Sequence, residues 1–201
     1  MQAITPQGDG EEVRGTSPHN HSNLMTYTQQ EMTASERMAK VIIKNVEEHG
    51  RHLQAIPRED ENGELVTDKN GNTLVNFVYT IGNCVRKQAE LLTFYPSAKT
   101  VSYVLNKLST LMEEGKVPTP TVEKPLCLGG LLDVDLMVYM LTEEQQAYAD
   151  AEFTVQGFEG TPTCLVAIPL PDGNFPPVVP QTLMPDLKTI TDIQTVDVEV
   201  Q

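Results

Sequence analysis

The sequence predicts an α+β domain with a mostly antiparallel sheet and three helices, flanked by extended arms. Three observations carry that expectation. Two capping boxes and one broad apolar stripe mark the helices, while short apolar runs bounded by Gly, Pro and Asn-Gly read as strands. Helices and strands are not regularly interleaved, which argues against a parallel α/β sheet. Both chain ends lack the dense apolar periodicity of the middle.

Residues 1–34 are rich in Gln, Ser, Thr, Asn and Gly and read as a polar arm without a core of its own. The domain is expected over residues 35–178. Thr33-Ala34-Ser35-Glu36 is its opening capping box. Met38, Val41, Ile42 and Val46 then share a helical face, and Gly50 stops the helix. His52 to Pro57 reads as a strand. Residues 58–73 form an acidic excursion holding Asn62-Gly63 and Asn70-Gly71, hairpin-turn signals because both residue types tolerate positive φ. Leu74 to Ile81 points apolar residues to both faces, which places it inside the sheet.

Glu90 to Tyr95 is the next strand, closed by Pro96. Val101, Val104, Leu105, Leu108, Leu111 and Met112 make the broadest helical stripe, ended by Gly115 and Pro118. Leu131 to Leu141 alternates as one strand. Leu132, Val134, Leu136 and Val138 take one face, and Asp133, Asp135, Met137 and Tyr139 the other. Thr142-Glu143-Glu144-Gln145 opens a helix running through Ala151. Thr163 to Leu170 is the last core strand, followed by a turn at Pro171-Asp172-Gly173-Asn174. Residues 179–201 read as a second arm, broken at Pro180 and Pro185 and ending in a strand pattern.

Charge and cysteine content narrow the function. The 201 residues carry Lys+Arg 14 against Asp+Glu 28, for a net charge of -14. Such a chain does not hold a nucleic-acid backbone by counterion release unless its few basic residues cluster, and it is a poor fit to an anionic membrane surface. The expected partners are proteins, with no nucleic acid and no membrane. The most apolar stretch, Leu126 to Leu141, is interrupted by Gly129-Gly130, Asp133 and Asp135, so no membrane span is expected. The amino terminus shows neither a basic n-region nor an apolar h-region, so no secretory signal is expected. Cys84, Cys127 and Cys164 are odd in number and form no C-x-x-C, which fits neither a disulfide framework nor a zinc site.

Three segments carry a resemblance. They are His49-Gly50-Arg51-His52-Leu53, then Phe77-Val78-Tyr79-Thr80-Ile81-Gly82 followed by Glu90-Leu91-Leu92, and Leu165-Val166-Ala167-Ile168-Pro169-Leu170-Pro171-Asp172-Gly173-Asn174-Phe175-Pro176. In order and spacing they resemble the bacterial and phage domain-of-unknown-function family forty-two sixty-two, over roughly residues 35–178. The resemblance implies a small α+β domain and points to no established reaction. This chain departs from the family pattern at several positions. It has Gly50-Arg51-His52 where the family reads Gly-Trp-His, and Gln88-Ala89-Glu90 where the family reads His-Pro-Glu. The Gln that the family often carries near Cys164 is missing, and Pro177 stands where it often has Trp. His and Trp commonly carry proton transfer and stacking, so the resemblance implies that any family chemistry is reduced here.

Several constellations could carry chemistry. Glu48, His49 and His52 invite a metal or acid–base reading, but they straddle a helix end and His49 also complements the helix dipole. His19 and His21 sit in the polar arm. Asp133 and Asp135, at i and i+2 of the expected strand, would share a face suited to a cation or simply to solvent. Asn76, Tyr79 and Thr80, with His52 and Glu90, would line a polar cleft at the ends of the central strands, or would satisfy neighbouring backbone groups. The chain lacks G-x-x-x-x-G-K, G-x-S-x-G and H-E-x-x-H, and no cofactor or metal is expected. In the tail, Thr195, Val196, Val198 and Val200 belong to an alternating strand, which must pair with its own sheet edge or with a neighbour's.

The leading expectation is a non-enzymatic assembly protein. It would be phage-encoded and virion-associated, of the capsid decoration or cement kind, attaching through its arms and found in the virion or the bacterial cytoplasm. The alternative is a ligand-binding or hydrolytic domain using the cleft of His52, Asn76, Tyr79, Thr80 and Glu90. An acidic mimic of nucleic acid ranks last, because the charges are spread over all three segments among Lys and Arg.

Overall fold

Thr33 opens the first helix as its spacing requires: its Oγ1 accepts from Glu36 N at 3.2 Å, while the Glu36 carboxylate accepts from Thr33 N at 2.7 Å. The computed structural model describes residues 33–152, 161–170, 172–176, 179–185, 190 and 192–199, so the arm before Thr33, His19 and His21 included, lies outside the described residues. Helix α1 (Ala34–His49) runs to Gly50 and buries Ile42. Met38 and Val41 stay 47% and 49% exposed, so only part of the expected apolar face is covered.

Among the described residues seven strands form one mixed sheet: β1 (His52–Pro57), β2 (Val75–Ile81), β3 (Glu90–Thr93), β4 (Leu126–Gly129), β5 (Leu136–Met140), β6 (Thr163–Ala167) and β7 (Gln194–Asp197). Their order is β1-β2-β3-β6-β5-β4-β7. The β3–β6 and β4–β7 pairs are parallel and the other four antiparallel. The α+β expectation with a mostly antiparallel sheet therefore holds. As the two-sided apolar pattern of β2 requires, that strand has neighbours on both edges.

The sheet is covered on both faces. On one side helix α2 (Ala98–Glu113), capped by Ser97, buries Val101, Val104, Leu105, Leu108, Leu111 and Met112 against Val78, Leu91, Leu126, Leu136, Val138 and Val166. Each such side chain contributes about 1.5–3 kcal/mol relative to exposure. On the other side Ile42 of α1, Ala149 of helix α3 (Glu143–Glu152) and Leu183 cover Tyr79, Ile81, Leu92, Phe94 and Leu165. Thr142 and Gln145 close the second capping box, each backbone N–H donating to the other's side chain.

One expectation needs correction. Leu131 to Leu141 is not one strand. The segment 130–135 connects the antiparallel pair β4–β5, in which Leu126 faces Val138 and Leu128 faces Leu136. The alternation of Leu132, Asp133, Val134 and Asp135 imitates a strand, but the chain turns at Gly130. Asp133 and Asp135 are exposed in that connection and share no strand face. The described part of the tail packs onto the domain. Leu183 is fully buried in the second core cluster, and β7 pairs with β4 from Leu126↔Gln194 to Gly129↔Asp197. The return of the chain is close enough that a Cβ on Gly130 would clash with Val198 O.

Between β1 and β2 the acidic excursion folds as two successive hairpins, a clover of two leaves. Arg58 N donates to Leu74 O, Val66 N to Arg58 O and Leu74 N to Val66 O, a ring of backbone bonds at its base. In the leaves, Gly63 N donates to Asp60 O and Gly71 N to Asp68 O at 3.0 Å each, as the Asn-Gly pairs predict.

Candidate functional site: a closed polar centre

The end of β2 must leave the sheet, and Gly82 makes that possible. Its φ is 101°, and a Cβ there would meet Val46 Cγ2 at 2.7 Å, so the sharp exit and the packing of α1 both require glycine. The turn leaves backbone N–H groups pointing inward, and Glu90 at the start of β3 receives them. Its Oε1 accepts from Gly82 N at 2.9 Å and Cys84 N at 3.1 Å. Its Oε2 accepts from the Thr80 hydroxyl at 2.6 Å. Thr80 Oγ1 in turn accepts from Leu91 N at 2.8 Å and from Asn83 Nδ2 at 3.2 Å. Asn83 Nδ2 is shared with Ala89 O and Ser109 Oγ of α2. Thr80, Asn83, Glu90 and Ser109 are all buried.

Beside this centre Arg51 ties the start of β1 to α2. Its guanidinium donates to Asn106 O at 3.0 Å and Thr110 Oγ1 at 3.1 Å, and pairs with Glu113 at 3.2 Å. Arg86 pairs with the other Glu113 oxygen. Burial pulls the Arg51 guanidinium below its ordinary value, and the Glu113 carboxylate works against that shift. Burial also pushes the Cys84 thiol up, with the adjacent Glu90 carboxylate adding to the rise. Fully buried Cys164 is pushed up to about 12. Neither thiol has thiolate character to offer near neutral pH.

The expected cleft residues are therefore only partly brought together. Thr80 and Glu90 meet. His52 turns to α1, where its Nδ1 accepts from Asn45 Nδ2 at 2.8 Å. Tyr79 packs in the opposite core with Phe77 and Phe94 at hand. Asn76 sits at the far end of β2, its amide 3.5 Å from Pro57 O. In the tail, Thr195 and Val196 lie in β7 and Val198 beside it on the chain's own sheet, while Val200 lies outside the described residues. His49 is exposed at the end of α1 beside Glu48, and no group of metal-ligating side chains occurs among the described residues.

Sequence reasoning missed Asn83, Ser109, Arg51 and Glu113. The available signal was Gly82-Asn83 directly after a strand. An amide there has several unpaired backbone and side-chain groups within reach. Both Glu90 oxygens accept hydrogen bonds within the chain, so the carboxylate links the end of β2 to the turn that follows it. Two surface grooves lie elsewhere. One of about 420 Å³ runs between the second clover leaf and Ser97 to Lys99, and one of about 410 Å³ lies along Ser102, Tyr103, Asn106, Lys107 and Thr110. Neither is lined by Thr80 or Glu90. Comparison with protein-family models, with curated proteins and with solved structures found no match to this chain.

Proposed function

We propose that this chain is a non-enzymatic assembly protein whose partners are proteins, and that it is phage-encoded and virion-associated. We read it further as a divergent member of family forty-two sixty-two, on the three segments quoted above. One observation supports the assembly reading best. The buried carboxylate centre is spent on the fold, while among the described residues the sheet ends in two edge strands, β1 and β7, each with one side unpaired. With β7 seated on β4 by one side, the parts we assign to attachment are the polar segment 1–32 and the outer sides of the edge strands.

The test is gradient sedimentation of the full chain from its native source. It is expected to run with particles far larger than 22.2 kDa and to be released when residues 1–32 are removed. A chain that sediments free in both forms overturns the reading.

A further inference from the structure

The two leaves of the clover are one device built twice. In each, a single aspartate Oδ1 accepts from two backbone N–H groups. Asp60 takes Asn62 N and Glu64 N at 2.8 and 2.9 Å, and Asp68 takes Asn70 N and Asn72 N at 2.8 and 2.9 Å. The following glycines, Gly63 and Gly71, have φ of 79° and 82°, and a Cβ on either would have nothing within 4 Å. Asn62-Gly63 and Asn70-Gly71 are therefore exposed pairs on open loop tips, matched in backbone geometry.

Charge is what separates them. Asn62 sits among exposed Asp60, Glu61 and Glu64. Asn70 follows Lys69 directly, and Lys99 lines the same groove as Asp68 and Asn72 of that leaf. The pairing of asparagine with glycine matters chemically. Asparagine is a labile residue, and a following glycine has no Cβ to obstruct closure of the side chain on its backbone nitrogen.

We propose that Asn70 is a site of spontaneous deamidation and isomerisation, and that it reacts ahead of Asn62. Gly71 N loses its proton and bonds Asn70 Cγ, the Cγ–Nδ2 bond breaks, and ammonia leaves with that proton. Water then opens the cyclic imide at either carbonyl and returns a hydrogen to the nitrogen, leaving an aspartyl or isoaspartyl linkage. The attacking nitrogen is negative, so Lys69 and Lys99 favour the step at Asn70 while three carboxylates oppose it at Asn62. Gly71 N donates to Asp68 O in the closed leaf, so the leaf opens first. Water replaces such surface bonds at little cost. The isoaspartyl product lengthens the backbone and breaks the Asp68 bonds to Asn70 N and Asn72 N, so the leaf beside the groove alters with age. The inference is independent of the assembly reading.

The test is prolonged incubation of the full chain at body temperature in mildly alkaline buffer. Proteolysis and mass spectrometry, with fragmentation to assign the position, then follow each site. Asn70 is expected to convert at least about threefold faster than Asn62, and added salt to narrow the gap. Lys69→Glu slows Asn70 towards the rate of Asn62. Asn72→Ala removes the 3.0 Å bond from its amide to Asp68 and speeds Asn70 alone. Equal rates, a faster Asn62 or an unmodified Asn70 overturn the proposal. So does a lead that Lys69→Glu leaves unchanged. An Asn70 rate indifferent to Asn72→Ala overturns the opening step.

Discussion

Glu90 and Asp60 make nearly the same hydrogen bonds at opposite ends of the β1–β2 pair. Glu90 Oε1 accepts from Gly82 N and Cys84 N at 2.9 and 3.1 Å, and Asp60 Oδ1 accepts from Asn62 N and Glu64 N at 2.8 and 2.9 Å. The difference is what surrounds them. Glu90 is buried and reaches groups from β2, the turn after it and, through Thr80 and Asn83, α2. Asp60 is exposed and serves only the leaf that contains it. Water can replace every partner of Asp60 and none of Glu90. Equal geometry therefore implies unequal worth, because an unmade bond costs the full desolvation penalty only in the interior.

The sharpest way to break this comparison is to remove each carboxylate. Glu90→Ala leaves two backbone N–H groups and the Thr80 hydroxyl buried without their acceptor, and about 3–5 kcal/mol of stability is expected to go. Urea unfolding checks it. Asp60→Ala is expected to leave the unfolding midpoint almost in place. Equal losses for the two variants would show that the clover is coupled to the core.

Next in size is removal of residues 192–201. It strips β7 from β4 and uncovers the apolar surface beneath Val196 and Val198, at an expected cost of about 2–4 kcal/mol. Replacing the clover residues 59–73 with a short turn removes more of the chain yet is expected to cost less, since that segment is almost entirely exposed. Denaturant midpoints of the two deletions rank the regions directly. Gly82→Ala follows, at about 1–3 kcal/mol, from the left-handed φ and the contact with Val46.

The same contrast explains how much was legible in the sequence. Local signals read correctly: the capping boxes at Thr33 and Thr142, the α2 stripe and the Asn-Gly leaves all encode their structure within a few residues. Long-range pairing was the weak point. Leu126–Gly129 is a strand because β5 and β7 flank it, and four residues between Pro125 and a glycine carry no alternation to announce that. The Val196 pattern announced a strand but not its parallel partner on β4. In the candidate site, Thr80 and Glu90 were placed together as polar residues at neighbouring strand ends. Asn83 and Ser109 escaped, because the contact between them spans a turn and a helix.

The smallest expected effect is read within the clover, by proton rather than by stability. Backbone donation from Glu64 and Asn62 holds the Asp60 carboxyl below its ordinary value of 3.8, and bonds from Asn72, side chain first and then backbone, do the same for Asp68. Both groups have depressed values in the folded chain. Any stabilisation they give is therefore fully present above the unfolded value of 3.8 and fades as pH falls through the lower folded values. Carboxyl NMR titration is expected to place both midpoints below 3.8, and Asn72→Ala to move Asp68 upward while leaving Asp60 in place. If Asp60 moved with it, the leaves would be one electrostatic unit. Independent midpoints would fit bonds that each close within a single leaf, the property that sets the clover apart from the Glu90 centre.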